Sequence, residues 1–244
     1  MTKKIVVILG ATCDLGLELS KIYAENNYDL IIVSRNKKKN YYLKNLIENE
    51  NKNTKVINLE LDILDIENHS KIFNSIEKPI DGIISLIGET HNIENIKDEK
   101  FINLININYT YLVNFLSFFL DDFEKKNKGF LICLSSVAGL RGRGKNFIYG
   151  SAKAALINFL SGVRNYYKNS NLFIMTVLPG FINNKESRLN KLEKLFAVNP
   201  SSLANKIFFA HQKKEEVIYS SLIWRLIMLI ITMLPNIVFN KLKF

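Results

Sequence analysis

The chain has 244 residues, a formal net charge of +10 and 48% hydrophobic residues. This length suits one large α/β domain, and the hydrophobic content supports a sizeable core, which excludes wholesale disorder. The lysines that supply the charge are scattered among asparagine and isoleucine, and no nucleic-acid-binding motif is present. We therefore expect no DNA or RNA partner, while attraction to anionic lipid or to a phosphorylated substrate stays open.

The two cysteines, Cys13 and Cys133, lie far apart and in no metal-ligand spacing. We therefore expect no metal site, and a reduced, cytoplasmic setting. The first apolar run, residues 5–9, is too short for the hydrophobic region of a signal peptide. It ends in a glycine loop, so it is predicted to be a buried strand.

Short apolar runs alternate with longer amphipathic segments along the chain. Buried strands are predicted at 5–9, 30–34, 56–61, 82–87, 130–135 and 172–178. Helices are predicted at 15–26, 38–50, 66–76, 98–122, 148–168 and 199–212. This alternation predicts an α/β fold with a doubly wound parallel sheet of about seven strands, flanked by helices.

A glycine loop at residues 10–16 follows the first strand and opens directly into a helix. Gly10 permits a tight turn and Gly16 permits close packing, so the N–H groups at the helix N-terminus can receive a pyrophosphate. The loop residues that we assign to a dinucleotide cofactor are Gly10, Thr12, Cys13, Asp14, Leu15 and Gly16.

Arg35 follows the second strand, and this strand end offers no carboxylate for a ribose 2′-hydroxyl. An arginine here accommodates a 2′-phosphate, which favours NADP(H) over NAD(H). The alternative is that Arg35 only begins a solvated basic helix with residues 37–39. Asp62 and Ile63, after the third strand, are placed to meet the adenine, although Asp62 is equally suited to cap a helix.

The clearest catalytic pattern combines Ser136, at the end of the fifth strand, with Tyr149 and Lys153, one helical turn apart. A lysine ammonium beside a phenol is expected to lower the tyrosine pKa toward working pH. Tyr149 is then the proton donor to a carbonyl that receives hydride, and the Ser136 hydroxyl polarises the same oxygen. A surface tyrosine and lysine is the alternative, and the serine motif thirteen residues earlier argues against it.

Together these motifs resemble the short-chain dehydrogenase/reductase family over residues 4–220. The resemblance implies a Rossmann-type, NAD(P)-binding catalytic domain at 1–220, an oxidoreductase acting on CH–OH and C=O groups, and a homodimer or homotetramer through the fourth and fifth helices. It also implies that Asn108 completes a Ser–Tyr–Lys–Asn tetrad, with Asn106 as a competing register. The further residues that it assigns to the cofactor are Gly88, Tyr149, Lys153, Pro179, Gly180 and Ile182.

Three positions depart from the family pattern. The family's middle glycine is Asp14 here, a residue suited to cap the helix N-terminus instead. The Asn-Asn-Ala-Gly segment is replaced by residues 85–88, and the threonine after Pro-Gly by Asn184. These changes remove side-chain contacts but leave the backbone geometry possible, so they indicate a subgroup and no loss of activity.

Arg141, Arg143 and Lys145 lie between the catalytic serine and tyrosine, in a loop that overhangs the active site in the family. Basic groups there could hold a substrate phosphate by charge-assisted hydrogen bonds. The alternative is a solvated basic loop.

The tail, residues 221–244, carries an apolar run at 226–234 that Pro235 cuts short of a bilayer span. Trp224, Arg225 and lysines beyond the run predict a helix in the membrane interface, anchored by tryptophan and basic residues. We therefore expect a cytoplasmic protein that is peripheral on the membrane. The alternatives are that the tail covers the sheet edge or forms a dimer seam.

The basic loop, residues 146–151 and the tail are similar to the decaprenylphosphoryl-2-keto-erythro-pentose reductases. This resemblance implies reduction of a keto sugar on a polyprenyl phosphate at the membrane surface. The enzymatic alternatives are a soluble 3-oxoacyl thioester reductase and a 3-ketosphinganine-type reductase. A non-catalytic NADP-binding scaffold or sensor is a further alternative, against which the complete Ser–Tyr–Lys set argues.

Overall fold

A computed structural model describes residues 3–76, 79–90, 100–185 and 189–241. One parallel sheet of seven strands has the order β3-β2-β1-β4-β5-β6-β7, which confirms the predicted doubly wound fold. The strands are β1 (Lys4–Leu9), β2 (Tyr28–Ser34), β3 (Val56–Glu60), β4 (Gly82–Ser85), β5 (Gly129–Leu134), β6 (Leu172–Leu178) and β7 (Val217–Tyr219).

Helices cover both faces of this sheet. They are α1 (Asp14–Glu25), α2 (Lys37–Glu50), α3 (His69–Asn74), α4 (Lys100–Ile105), α5 (Tyr111–Lys126), α6 (Phe147–Tyr166), α7 (Lys191–Leu195), α8 (Pro200–Gln212), α9 (Leu222–Met233) and α10 (Asn236–Phe239). Val6 and Ile8 of β1 belong to the core under α1 and α8, whereas Val7 and Leu9 belong to the core under α5 and α6. Burial on both faces explains why the strands are apolar without alternation.

The long helix predicted at 98–122 differs from the structure. Residues 98–99 lie outside the described part, and the rest forms α4 and α5 with a π-helical turn, Asn106–Thr110, between them. Such turns widen the hydrogen-bond ladder and are frequent at functional sites. The strand predicted at 82–87 ends at Ser85, so its last two residues form the loop before Gly88.

The tail forms α9 and α10 and packs on the domain through one face of α9. Trp224, Met228 and Ile231 are buried there against Val137 and Leu178. The prediction that Trp224 is an interfacial anchor is wrong, because only 6% of it is exposed and its Nε1 donates to a backbone carbonyl. Among the described residues, none of the helices has the length and hydrophobicity that crossing a bilayer requires.

Candidate active site

The glycine loop forms a cradle at the carboxyl end of β1. Gly10 has φ +82, and a Cβ there would lie 3.3 Å from the Leu86 carbonyl carbon. A Cβ on Gly16 would lie 2.4 Å from the Ala11 oxygen, so only glycine lets α1 approach the loop this closely. The space left by missing side chains at a helix N-terminus fits the pyrophosphate of a dinucleotide.

The first turn of α1 is capped by Cys13, whose Sγ accepts from the Gly16 N–H at 3.3 Å. The prediction that Asp14 caps this helix is wrong. Its carboxylate instead accepts from the Lys185 N–H at 2.7 Å and ties the glycine loop to the segment after β6. Leu15 is buried in the core, so only its backbone is available to a cofactor, while Thr12 is half-buried in the loop.

The residues predicted to meet the adenosine lie at the ends of β2 and β3. The exposed Arg35 has its Nη1 4.0 Å from Oε2 of Glu89, a carboxylate that follows β4. Asp62 Oδ1 accepts from the Leu64 N–H at 3.0 Å and so stabilises a turn. The alternative that Asp62 caps a helix is wrong, because the N-cap position of the next helical turn, Ile66–Asn68, is Asp65. Ile63 is buried, and its carbonyl lies 3.0 Å from Nε2 of His69.

Lys153 is 2% exposed and lies one helical turn after Tyr149 in α6. Its Nζ donates to the carbonyls of Ile87, at 3.2 Å, and Leu134, at 3.3 Å, where the chain leaves β4 and β5. Burial lowers the pKa of Lys153 from 10.5 to about 8, and the interaction with Cys133 offsets this shift in part. A Cβ on Gly88 would lie 2.9 Å from this Nζ, so a side chain there would displace the ammonium.

Tyr149 is half-buried, and the Lys153 Nζ lies 5.8 Å from the centre of its ring. Burial raises the pKa of Tyr149 above 10.0, while a hydrogen bond with Ser136 and the charge of Arg143 lower it in part. Lys153 is not among the groups that shift this pKa, so the expected lowering by its ammonium is not what governs the phenol. The net rise keeps the phenol protonated at neutral pH, as a proton donor requires.

Ser136 ends the extended segment after β5, and its Oγ accepts from the Ala138 N–H at 3.1 Å. Two glycines let α6 pack against this turn. A Cβ on Gly139 would lie 2.7 Å from the Ala154 nitrogen, and one on Gly150 would lie 2.9 Å from the Ala138 oxygen. This packing holds the serine turn against the helix that carries the tyrosine and lysine.

Asn108 lies in the π-helical turn and is fully buried. Its Oδ1 accepts from the Glu89 N–H at 3.2 Å, and its Nδ2 donates to the carbonyls of Glu89 and Leu104, each at 2.8 Å. A Cβ on Gly88 would lie 3.2 Å from its Oδ1. Asn108 and Lys153 therefore meet at the same glycine.

The three basic residues of the overhanging loop have different environments. Arg141 donates to the Leu234 carbonyl at 3.1 Å and to Asn236 Oδ1 at 2.7 Å, so its guanidinium holds the tail. The Nε of Arg143 is enclosed and has no hydrogen-bond partner among the described residues, and burial lowers the pKa of this guanidinium. Lys145 is exposed. Phosphate contact stays a prediction for Arg143 and Lys145.

The segment after β6 closes this end of the sheet. Pro179 accepts from the Val137 N–H at 3.0 Å, and the Gly180 N–H donates to Ser220 Oγ at 3.2 Å. Ile182 forms an isolated parallel bridge with Val198. The segment thus lies beside the serine turn, on the same edge of the sheet as the glycine loop.

A family model described as short chain dehydrogenase matches residues 4–194. The chain belongs to the short-chain dehydrogenase family. This membership makes the protein an oxidoreductase, as the motifs predicted. The family match covers the glycine loop, the serine turn and the tyrosine–lysine helix, and ends before α8 and the tail.

Curated relatives and solved structures agree with this assignment. An uncharacterized oxidoreductase of Listeria monocytogenes is 24% identical over 88% of this chain and 92% of its own length. The very-long-chain 3-oxoacyl-CoA reductase-A of Danio rerio is 26% identical over 77% of this chain and 61% of its own length. A short-chain dehydrogenase from Sphingobium yanoikuyae, solved with NADPH, has a TM-score of 0.80 at 20% identity, covering 90% of this chain and 88% of its own.

Glu89 is the residue near the site that the sequence reasoning missed. It stands next to Gly88 directly after β4, and β4 lies beside β1 in the usual order of such sheets. The position of Glu89 after β4 therefore already indicates that it lies at the carboxyl edge of the sheet, beside the glycine loop. Only the side-chain directions reveal that it faces Arg35.

Proposed function

We propose that this short-chain dehydrogenase is an NADP-dependent reductase of a ketone carbonyl. NADPH supplies the hydride to the carbonyl carbon, and the Tyr149 hydroxyl gives its proton to the oxygen. The Ser136 hydroxyl shares a hydrogen bond with this phenol and is placed to polarise the same oxygen. The observation that carries the proposal is the pairing of Ser136, after β5, with Tyr149 of α6, with the buried Lys153 ammonium beside the tyrosine ring.

The preference for NADP is supported by Arg35 at the end of β2, where family members recognise the ribose. Its side chain is 67% exposed and therefore accessible to a 2′-phosphate. The lysines at 37–39 in the first turn of α2 add positive charge nearby. The Sphingobium structure, which holds NADPH, supports the same preference at the level of the fold.

The substrate that we propose is a carbonyl on a lipid-linked or otherwise amphipathic molecule, with a polyprenyl-phosphate keto sugar as the specific form. The support is a row of exposed apolar residues that we name the outer face of α9. These residues are Leu222, Ile223, Leu226, Leu229, Ile230 and Met233. A patch of this kind marks an interaction site on a soluble fold.

This face lies close to the proposed active site. Trp224, on the opposite side of α9, packs so tightly on Gly180 that a Cβ there would lie 1.9 Å from the indole ring. Leu192 and Leu195 of α7, between the same loop and α8, are also exposed. We therefore propose that the outer face of α9 rests in a membrane interface, where a lipid-linked ketone can enter beside the loop after β6.

A long-chain 3-oxoacyl thioester is the second candidate substrate. The observation that favours it is the similarity to the Danio rerio very-long-chain 3-oxoacyl-CoA reductase-A, although this chain spans about three fifths of that relative's length. Comparing kcat/KM for a long-chain 3-oxoacyl-CoA with that for a polyprenyl-phosphate keto sugar separates the two candidates.

Catalysis is tested with Tyr149→Phe, which keeps the aromatic ring and removes the hydroxyl that would donate the proton. We expect NADPH to bind as in the wild type and turnover to fall at least about a hundredfold, the usual contribution of a general acid. Loss of NADPH binding with the loss of turnover would point to a structural role, and unchanged turnover would refute Tyr149 as the proton donor. Absence of turnover in the wild type with every ketone tested would favour a non-catalytic cofactor sensor.

Membrane docking is tested by co-sedimentation with anionic and neutral vesicles. Deletion of 221–244 would also remove the buried Trp224 and expose Val137 and Leu178, so the sharper variant is Leu226→Glu with Ile230→Glu, both on the outer face. Phe209→Glu, at an apolar residue of α8 that is 60% exposed, is the matched control. We expect the double variant alone to stay in the supernatant. Equal behaviour of wild type and double variant would contradict docking through α9.

A further inference from the structure

Two opposite charges face each other at the cofactor edge of the sheet. Arg35 follows β2 and Glu89 follows β4, and these strands lie on either side of β1. Their side chains approach to 4.0 Å, between Nη1 and Oε2. The ion pair therefore bridges the end of β1, where the glycine loop begins and the adenosine half of a dinucleotide binds in such folds.

Glu89 is held in this position through its backbone. The side-chain amide of Asn108 accepts from its N–H at 3.2 Å and donates to its carbonyl at 2.8 Å. The carboxylate side chain is 28% exposed, whereas that of Arg35 is 67% exposed. The acid is thus the more enclosed partner, and the guanidinium remains open to a ligand from solvent.

We infer that Glu89 is a specificity-determining residue that sets the balance between NADP and NAD. This inference rests on the proposed use of Arg35 for the 2′-phosphate. A 2′-phosphate must compete with the Glu89 carboxylate for that guanidinium and is repelled by the carboxylate itself. A carboxylate at this site can instead accept a hydrogen bond from a free ribose 2′-hydroxyl, as acidic residues at the end of β2 do in NAD enzymes.

The site therefore presents a hydrogen-bond donor for a 2′-phosphate, Arg35 after β2, and a hydrogen-bond acceptor for a 2′-hydroxyl, Glu89 after β4. The end of β2 has no carboxylate, and this feature by itself favours NADP. The segment after β4, however, supplies the Glu89 carboxylate from the other side of β1. Because the pair is partly exposed, its effect on affinity is modest and sensitive to salt. Removing the negative charge of Glu89 should favour NADPH without removing any contact to the phosphate.

The experiment measures dissociation constants of NADPH and NADH for the full chain by fluorescence titration. In Glu89→Gln, we expect NADPH to bind about two- to fivefold more tightly, the range measured for exposed ion pairs. NADH should bind equally or more weakly. At about 1 M salt, where the Debye length is about 3 Å, the gain should largely disappear.

Glu60→Gln is the matched control, since Glu60 is an exposed carboxylate at the end of β3 that pairs in register with Ser34. It should leave the ratio of the two affinities unchanged. In an Arg35→Gln background, Glu89→Gln should lose most of its effect on NADPH, because the competition for the guanidinium is gone.

Equal changes in NADPH and NADH affinity for Glu89→Gln would overturn the inference. So would the same change in ratio for Glu60→Gln, since the effect would then come from net charge alone. These outcomes are distinct from failure of the NADP proposal, which a wild-type preference for NADH would refute. Even then, Glu89→Gln is expected to move the ratio toward NADPH.

Discussion

Replacing Lys153 with methionine should abolish turnover and yet make the stability of the fold less dependent on pH. The lysine is 2% exposed, and burial lowers its pKa from 10.5 to about 8. Because one pKa unit corresponds to about 1.4 kcal/mol, holding this ammonium in the folded state costs about 3 kcal/mol at neutral pH. Methionine has a similar length and carries no charge.

The sign of the pH dependence follows from proton binding. Below about pH 8 the lysine is protonated in both states, and the full cost of burying its charge is present. Between about pH 8 and pH 10.5 the unfolded chain binds more protons than the folded one, so stability rises with pH. Above the upper limit both states are neutral and the cost is gone.

The variant also loses the two hydrogen bonds to the Ile87 and Leu134 carbonyls, worth about 1 kcal/mol each. Lys153→Met should therefore be about 1 kcal/mol more stable than wild type near pH 7 and about 1 to 2 kcal/mol less stable near pH 10. Urea unfolding at both pH values measures this reversal.

The exposed Lys145, exchanged for methionine, is the control and should show no reversal. If the stability difference between Lys153→Met and wild type were the same at both pH values, burial of a costly charge would be refuted. The lysine would then be solvated in the folded state, and its position behind the tyrosine would need another explanation.

Three further predictions concern the surroundings of the site. Gly88→Ala places a methyl group 2.9 Å from the lysine ammonium and should lower kcat, whereas Gly142→Ala, with no atom within 4 Å of its Cβ, should not. Trp224→Ala removes a buried aromatic side chain and should lower the free energy of unfolding by about 3 to 5 kcal/mol. Arg143→Gln removes a charge that lowers the pKa of Tyr149, so the pH profile of alcohol oxidation, which needs the phenolate, should move to higher pH.

Each of these variants has an outcome that would contradict its premise. Equal kcat values for the two glycine variants would mean that the ammonium can move without loss of rate. An unchanged free energy of unfolding for Trp224→Ala would mean that packing of the indole between α9 and the domain does not stabilise the tail. An unshifted pH profile for Arg143→Gln, with Arg143→Lys as the conservative comparison, would remove the guanidinium from the electrostatics of the phenol.

The sheet could be predicted from the sequence because each strand is indicated by a short apolar run of neighbouring residues. Val6 and Val7 are both fully buried, one in each core, so an uninterrupted apolar run already indicates a strand covered on both faces. The placement of Ser136, Tyr149 and Lys153 at one edge follows in the same way, from the end of a strand and the pitch of a helix. These features need no knowledge of distant side chains.

The remaining features depend on contacts between residues far apart in sequence. The sequence predicts Arg141 as a candidate phosphate ligand, but its guanidinium donates hydrogen bonds to the tail, more than 90 residues later in the chain. The sequence predicts Trp224 as a membrane anchor, but in the structure its ring packs in the space that Gly180 leaves by lacking a side chain. The cap of α1 was missed for a chemical reason, since the thiol of Cys13 lies outside the usual set of capping side chains.

Gly88 explains how this chain can depart from the family's side-chain pattern after β4 and still keep the predicted Ser–Tyr–Lys–Asn residues. The asparagines of that pattern are absent, but the glycine that follows them remains. Its missing Cβ provides the space in which the Lys153 ammonium and the Asn108 amide meet, at 2.9 Å and 3.2 Å from where that atom would be. The lysine is then held by backbone carbonyls, which every sequence supplies. At Gly88 the chain therefore relies on the absence of a side chain, whereas the asparagines of the family's pattern are replaceable.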